Sequence, residues 1–323
     1  MANPKSSLVT QRPDLAESLM QFDLAADRQG FIGSQVLPVI DVATQAGTFG
    51  VVKLEDLLQE RETRRASGAG YARSDFQFGT GSYATQEFGA EEVTDDREQA
   101  LYRNYLDGEL IATQRAYDAV LRGAELRVAN LVFNPTTFSA QTTSAAAVWS
   151  DASNATPLVD VESSVEAIYD RTGLWPNSLI ISMKTFRALR NCASIIDRIN
   201  SAGAGNPSKA SDVTVSMLEQ VFALDRVIVA GASRNGAKEG KPASPEQIWS
   251  SSYAMVCHIN GSKDFKAPTL GRCFHWSADG STIGGTVESY EDPAVRGSVV
   301  RVRHEVEEKL LYPELGQLID NVA

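Results

Sequence analysis

The feature that most restricts the fold is a long apolar stripe between Thr94 and Pro135. Apolar residues recur there at spacings of three and four, which is the period of one face of an α-helix. The members of the stripe are Tyr102, Leu106, Leu110, Tyr117, Leu121, Ala124, Val128 and Leu131. At 1.5 Å per residue such a helix is about 50 Å long, which is long for a globular domain. The sequence therefore predicts a molecule built along a spine helix.

Local signals bound this helix at both ends. Asp95 followed by Glu98 predicts a capping box at its start. Asn134-Pro135 predicts its end, because a proline disfavours helical backbone in the residue before it. Asp118 and Arg122 lie one turn apart with the acid first, so we expect an ion pair on the helix surface.

A glycine-rich segment, QERETRRASGAGYARSDFQFGTG (59–81), separates two strand-like runs. The first run is TFGVVKL, and the second is SDFQFGTGSYATQEF, which carries Phe76, Phe78 and Tyr83. The simplest interpretation is a long two-stranded ribbon with a basic tip. Such a ribbon is marginally stable alone in water, so it has to lie against another surface. The basic residues of the tip are Arg61, Arg64 and Arg65.

The rest of the chain alternates helices and strands without a regular βαβ rhythm, which indicates an α+β fold. The first 45 residues predict an extended arm with one short helix that carries Leu15, Leu19 and Phe22 and stops at Gly30. After position 155 an amphipathic helix is followed by a buried strand and then a helix. The order is then reversed: a helix, a tight turn and a buried strand. We expect Phe186, Leu189, Ile196 and Ile199 to face inward.

The sharpest strand signal lies near the C-terminus, in VRVRHEVEEKL. Strict alternation places one set of residues on a buried face and the next on a polar face. The buried set is Val300, Val302, His304 and Val306, and the polar set is Arg301, Arg303, Glu305 and Glu307. We expect this strand to be half buried and half exposed to water or to a partner.

Composition excludes several function classes. The formal net charge is -11, which argues against a general nucleic-acid binder, because phosphate contacts need an excess of Lys and Arg. No apolar run approaches a membrane span and no secretory leader is visible, so we expect a cytosolic product without a membrane partner. The three cysteines, Cys192, Cys257 and Cys273, predict small buried side chains in a reducing compartment.

No motif predicts catalysis, a cofactor or a metal. Gly231 and Gly236 have the spacing of a phosphate-binding loop, but Ala237 replaces the required lysine and Pro242 interrupts the helix that should follow. His258, His275 and His304 share no metal-ligand spacing. The acidic group from Glu91 to Asp96 is better explained by a solvated face and a helix start than by a divalent ion. We therefore predict that the protein is not an enzyme.

The order of these elements resembles that of the major capsid proteins of tailed bacteriophages, which have the HK97-type fold. The most specific stretches are WPNSLIISMKTFRALRNCASIIDRI, VTVSMLEQVFALDRVIVAGASRNGAKEG and IWSSSYAMVCHI. The resemblance covers nearly the full length. It implies an N-terminal arm (1–45), an extended loop (46–92), a peripheral domain with the spine helix (93–175), an axial domain (176–264) and a return to the peripheral domain (265–323).

The resemblance implies a structural virion protein that forms hexamers and pentamers of itself, closing into an icosahedral shell around double-stranded DNA. It implies no cofactor, and DNA only as non-specific contents that an acidic lining repels. The expected partners are a separate scaffolding protein, because no scaffolding segment is visible here, a portal and, left open, a decoration protein. The expected location is the virion, and the host cytoplasm during assembly.

In this interpretation the ribbon reaches the next subunit. We expect intersubunit contacts from Arg61, Arg64, Arg65, Phe76, Phe78 and Tyr83, and from Glu305 and Glu307 of the C-terminal strand. The arginines would meet either Glu305, Glu307 and Glu308 or the Glu91 to Asp96 group. Two alternatives stay open. One is an encapsulin-like compartment, which shares the fold, and the other is a soluble enzyme with the glycine-rich loop as a lid.

Overall fold

The structure is a computed structural model. It describes residues 10–11, 30–52, 60, 63–65, 67–68, 70–71, 73, 78–97, 108–201, 213–238, 240–264, 267–278, 280–281 and 285–323. The strands within these ranges are β1 (Thr10–Gln11), β2 (Val39–Val42), β3 (Ala46–Val52), β4 (Phe78–Ala84), β5 (Gln86–Asp95), β6 (Thr142–Ser144), β7 (Ser178–Ser182), β8 (Arg226–Ala230), β9 (Ser233–Asn235), β10 (Pro245–Gln247), β11 (Ala254–Cys257), β12 (Gly271–Trp276), β13 (Thr286–Asp292), β14 (Gly297–Leu310) and β15 (Gly316–Asp320). The helices are α1 (Gly33–Val36), α2 (Gly108–Val132), α3 (Pro157–Thr172), α4 (Met183–Leu189), α5 (Ala193–Ser201) and α6 (Val215–Phe222), with a 3₁₀ turn at Pro313–Leu315.

A six-stranded sheet is organised around β14, the C-terminal strand predicted from alternation. Its order is β1-β13-β14-β12-β2, and β5 also pairs with β14 in antiparallel register. Val300, Val302, His304 and Val306 are all buried, which confirms the predicted inner face. Glu305 breaks the prediction for the outer face, because only 4% of it is exposed.

The spine helix α2 packs on the inner face of this sheet. Tyr117 and Val128 of the predicted stripe are buried, but Leu110, Leu121 and Leu131 are only partly so. The deeply buried positions include small residues that are not members of the predicted stripe. These are Ala112, Thr113, Ala116 and Ala129. Small side chains let a helix approach a sheet closely. The face of α2 that contacts the sheet is therefore the one that carries these small residues, and it is rotated from the predicted stripe.

The predicted start of the spine helix is partly outside the described residues, since Glu98 is not among them. Asp95 is the last residue of β5, and its Oδ1 accepts the backbone N–H of Arg97 at 2.7 Å. The predicted surface pair is confirmed, with Arg122 Nη2 2.6 Å from Asp118 Oδ2. The predicted short helix at Leu15, Leu19 and Phe22 also lies outside the described residues.

A five-stranded sheet with the order β6-β15-β11-β7-β8 forms the second core. Leu179 and Ile181 of β7 are fully buried, as predicted for a central strand. Helix α3 packs on β15 and β11, whereas α4 packs on β7 and β8. The sheet crosses the predicted domain boundaries, because β6 and β15 come from segments assigned to the peripheral unit yet pair with each other beside the axial strands.

Short-range signals explain the helices of this second unit. Pro157 opens α3, and Gly173 ends it with a φ of 69°. Side-chain oxygens of Ser182 and Thr214 accept backbone N–H groups at the starts of α4 and α6. The single helix predicted after β7 is wrong, since α4 ends at Leu189 and α5 begins at Ala193. The break turns Ile195 rather than Ile196 into the core.

The predicted ribbon is present at its base. Strands β3 and β4 pair antiparallel from Ala46 opposite Ala84 to Val52 opposite Phe78. Tyr83 lies across Gly47, where a Cβ would sit 2.7 Å from the Tyr83 hydroxyl oxygen, and Phe49 lies across Gly81. The two glycines therefore make room for the aromatic rings on opposite strands.

The described residues contain neither a metal-ligand cluster nor a membrane-spanning helix. No group of three or more His, Cys, Asp or Glu side chains is arranged to hold a metal ion. None of the helices that the structure describes is both long enough and apolar enough to cross a bilayer.

Candidate assembly surfaces

The base of the ribbon is held by its own subunit. The Tyr83 ring stacks on Phe274 of β12 with centroids 4.9 Å apart, and Phe49 lies 5.7 Å from the same ring. Ile40 and Val42 complete this small core. Tyr83, which we expected at an intersubunit contact, is therefore part of an intrachain cluster, because Phe274 offers it an apolar surface inside the subunit.

Side chains on the outer face of β14 form hydrogen bonds with the same ribbon base. Thr85 Oγ1 donates to Glu305 Oε1 at 2.9 Å, and Gln45 Nε2 donates to Glu305 Oε2 at 3.4 Å. The backbone N–H of Ala84 donates to Glu307 Oε2 at 2.5 Å. The two acids that we expected to meet a neighbouring subunit thus accept hydrogen bonds from their own chain. Glu305 is covered by these contacts, which explains its burial.

Glu308, the third expected acceptor, is also used within the chain. It forms a two-point ion pair with Arg127 of the spine helix, with the shortest N–O distance 2.8 Å. The Arg127 guanidinium carbon also lies 3.6 Å from the centroid of the Phe88 ring. This stacked, bidentate arrangement is one that arginine provides and lysine cannot. It ties β14 and β5 to the spine helix.

The ribbon tip has a different character. Arg64 and Arg65 are exposed, and the Arg65 guanidinium carbon lies 4.7 Å from the centre of the Tyr71 ring. Tyr71 is 74% exposed, the largest exposed fraction among the bulky apolar side chains of the described residues. Arg61, Phe76 and the side chain of Phe78 lie outside what the structure describes. The predicted site residues therefore divide into a covered base and an exposed tip.

Arginine and glutamate alternate along the outer face of the six-stranded sheet. Arg301 lies opposite Glu91 of β5 and Glu288 of β13, with N–O distances of 2.8 and 3.6 Å. Arg303 Nη2 reaches Glu288 at 3.0 Å. The Arg301–Glu91 pair is partly exposed, and pairs of that kind contribute about 0–1 kcal/mol. Part of the Glu91 to Asp96 group is thereby neutralised within the subunit.

Glu125 joins three parts of the chain in the interior. Its carboxylate accepts the backbone N–H groups of Ile32 and Gly33, at 2.9 and 2.7 Å, and the indole N–H of Trp249 at 2.5 Å. Burial raises the pKa of this carboxyl, and the three donors act in the opposite direction. The spine helix is thus bonded to the end of the arm and to Trp249. This role of Glu125 could not be predicted from the sequence, because a lone Glu in a helix gives no signal of burial.

Ser281, His275 and Asp41 have the connectivity of a serine-hydrolase triad. Ser281 Oγ lies 3.3 Å from His275 Nε2, and His275 Nδ1 lies 2.9 Å from Asp41 Oδ1. Ser281 and His275 are only 4% and 2% exposed, and the hydroxyl also contacts the Trp276 carbonyl at 3.1 Å. A nucleophile has to be reached by its substrate, so the arrangement is better explained as a clasp between β2 and the segment after β12.

His304 is buried at the centre of β14. The ring lies edge-on to Phe88, and neither ring nitrogen has a hydrogen-bond partner. Burial, followed by the nearby Arg127 and His275, lowers the pKa of His304 to about 4. The ring therefore stays neutral in the folded protein at pH 7.

The cysteines confirm the structural interpretation made from the sequence. Cys192 and Cys257 are buried, Cys273 is partly so, and all three are free thiols. Burial raises the pKa of both Cys257 and Cys273 to about 12. Thiols in this state are poor nucleophiles, because the reactive form is the thiolate.

Comparison with known proteins was made at the level of sequence and of fold. No model of a known protein family matches the sequence. The chain is similar to the "Major capsid protein" of Burkholderia phage BcepMu, with 24% identity over 212 residues. The match spans 62% of this chain and 64% of the relative, which is just under two thirds of that relative's length.

The likeness in fold extends over most of the chain. A phage-related protein from Bordetella bronchiseptica RB50 superposes with a TM-score of 0.67 at 22% identity, over 90% of this chain and 92% of that one. The capsid structure of the cyanophage P-SCSP1u gives 0.59 at 10% identity, over 88% and 86%. An encapsulin complex is matched as well. The α+β chain has the HK97-type capsid fold, as the sequence predicted.

Proposed function

We propose that this chain is the major capsid protein of a tailed bacteriophage, a structural virion protein whose copies form hexamers and pentamers of an icosahedral shell around double-stranded DNA. The observation that carries this proposal is the HK97-type fold across about nine tenths of the chain, together with sequence similarity to a phage major capsid protein.

An encapsulin-like compartment is the second candidate, and it is favoured by the encapsulin among the structures of the same fold. The two functions differ in what the shell contains. Expression of the chain with its candidate scaffolding protein, followed by electron microscopy and analysis of the contents, distinguishes them. Closed shells that package DNA support the capsid, shells that enclose an enzyme support the compartment, and a compact monomer or small oligomer under all conditions contradicts both.

The proposal also assigns the parts of the subunit to the domains of the capsid fold. The six-stranded sheet with the spine helix serves as the peripheral domain, and the five-stranded sheet, now including β6 and β15, serves as the axial domain. The arm and the ribbon extend to neighbouring copies. A separate scaffolding protein, a portal and a decoration protein are the further partners proposed. The net charge of -11 suits a lining that does not hold DNA by counterion release.

We also propose that the ribbon tip contacts the next subunit through Arg64 and Arg65. Glu305 and Glu308 are occupied within the chain, and Glu92 lies 3.5 Å from Arg115, so the expected acceptors are the exposed acids Asp95 and Asp96 at the end of β5. Replacing both arginines with glutamate should reduce the yield of closed shells without lowering the melting temperature of the unassembled subunit. The control Lys238→Glu changes an exposed charge elsewhere. Equal shell yields from both variants would refute this contact.

A further inference from the structure

The outer face of helix α3 is both acidic and apolar. Glu162, Glu166 and Asp170 are exposed along it, and none of the three forms an ion pair in the described part of the chain. Tyr169 stacks on Trp175 with ring centroids 4.2 Å apart, and these rings are 40% and 58% exposed. Val159, at the start of the same face, is 65% exposed. We call these six residues the acidic stripe.

Helix α4 presents the opposite charge. Met183, Lys184 and Arg187 are exposed, and Arg190 is partly exposed with its guanidinium carbon 5.6 Å from the centre of the Phe186 ring. Lys184 and Arg187 form no ion pair with any described residue. Met183 is 38% exposed. We call these four residues, Met183, Lys184, Arg187 and Arg190, the basic patch.

Exposed apolar side chains concentrate on these two surfaces. Seven large apolar residues are exposed in the described part of the chain, and four of them belong to the acidic stripe or to the basic patch. The four are Val159, Tyr169, Trp175 and Met183. Apolar groups among exposed charges of one sign are typical of a surface that is covered in an assembly. Two such surfaces of opposite sign fit each other.

The two surfaces cannot meet within one subunit. Trp175 precedes β7 and Met183 follows it, so they lie at opposite ends of a buried strand of five residues. At about 3.3 Å per residue this strand alone separates them by roughly 16 Å. In addition, α3 packs over β15 and β11, whereas α4 packs on β7 and β8 at the other edge of the sheet. The two surfaces can therefore contact each other only between different copies of the chain.

We propose that the acidic stripe of one subunit docks on the basic patch of the next, in a head-to-tail contact that repeats around a ring. Because the two surfaces differ, the contact is heterologous, and heterologous contacts close into rings when the rotation per subunit allows it. This inference rests on the proposed capsid function, and it specifies which residues join neighbouring subunits within a hexamer or pentamer.

Paired charge reversals test the contact. The first variant carries Glu162→Lys, Glu166→Lys and Asp170→Lys, so both of its surfaces are positive. The second carries Lys184→Glu and Arg187→Glu, so both of its surfaces are negative. Neither variant should form rings or shells alone, as measured by native mass spectrometry and negative-stain electron microscopy. The control combines Glu291→Lys with Lys238→Glu, two exposed charges outside both surfaces, and it should assemble like the parent.

An equimolar mixture of the two variants gives the decisive result. Every contact in an alternating ring joins opposite charges, so rings should return, but alternation closes only with an even number of subunits. Hexamers should therefore form without pentamers, and the products should be open sheets or tubes instead of closed shells.

Three results would overturn the inference. One is normal assembly of either variant alone, while the parent also assembles, which leaves the proposed function intact. Another is failure of the mixture although circular dichroism and melting temperature show that both variants fold like the parent. The last is absence of rings and shells from the parent itself when its scaffold is present, which overturns the proposed function too.

Discussion

Acidification should destabilise the subunit through His304. The folded state keeps this ring neutral down to about pH 4, whereas the unfolded chain protonates it near pH 6.5. Above pH 6.5 both states are neutral and the residue contributes no pH dependence. As the pH falls below 6.5, the unfolded state binds a proton that the folded state does not, so the free energy of unfolding decreases until about pH 4.

The size of the effect follows from the two pKa values. One unit of pKa difference corresponds to about 1.36 kcal/mol, so at pH 4.5 the loss attributable to His304 is about 2–3 kcal/mol relative to pH 7.5. This is a large share of the stability of an ordinary domain. The cause is structural, because the ring is 3% exposed, has no hydrogen-bond partner and lies close to the Arg127 guanidinium.

Urea unfolding of the unassembled subunit at pH 7.5 and at pH 4.5 measures the loss. The variants His304→Phe and His304→Leu cannot protonate at this position, so each should lose about 2–3 kcal/mol less on acidification than the parent. Two substitutions of different size separate the titration from a change in packing. An equal loss in the parent and in both His304 variants would refute the reasoning.

Two further perturbations test the interior and the ribbon base. Glu125→Gln places an amide N–H₂ group against a backbone or indole donor, so the free energy of unfolding should fall by about 1–3 kcal/mol, whereas the exposed Glu291→Gln should leave it unchanged in the same urea titration. Gly81→Ala puts a Cβ about 2.5 Å from the Phe49 ring and should destabilise the ribbon base by about 1–3 kcal/mol. Gly50→Ala, with open space at its Cβ, is the matched control, and equal protease resistance of the two ribbons would contradict this packing.

Most of what the sequence predicted about the fold came from the periodic spacing of apolar residues. Three features were predicted from the pattern of side chains within single strands. These are the alternation in β14, the antiparallel ribbon and the buried strand β7. Helix α2 was located correctly, but its contact face was not, because alanine gives a weak signal of burial. The break between α4 and α5 was missed because no proline or glycine marks it.

The contacts between distant segments were not predictable in the same way. Glu305 stands in an alternating polar set, and only its meeting with Thr85 and Gln45 makes it buried. Asp41 precedes His275 and Ser281 by more than 200 residues along the chain, and the parallel pairing of β2 with β12 brings it to them. The acidic stripe and the basic patch look like ordinary solvated helix faces in the sequence, and only the fold shows that the buried strand β7 lies between Trp175 and Met183.

The place of β15 in the five-stranded sheet affects the order of events during synthesis. Gly316–Asp320 lies between β6, which precedes it by about 170 residues, and β11. A ribosome has to deliver this late segment before the two halves of the sheet can join, and pairing over such sequence distances is slow. The surfaces carried by α3 and α4 therefore reach their final relative position only after that strand has been made. In the proposed shell, the docking surfaces of a nascent chain are therefore incomplete until its own synthesis has passed this point.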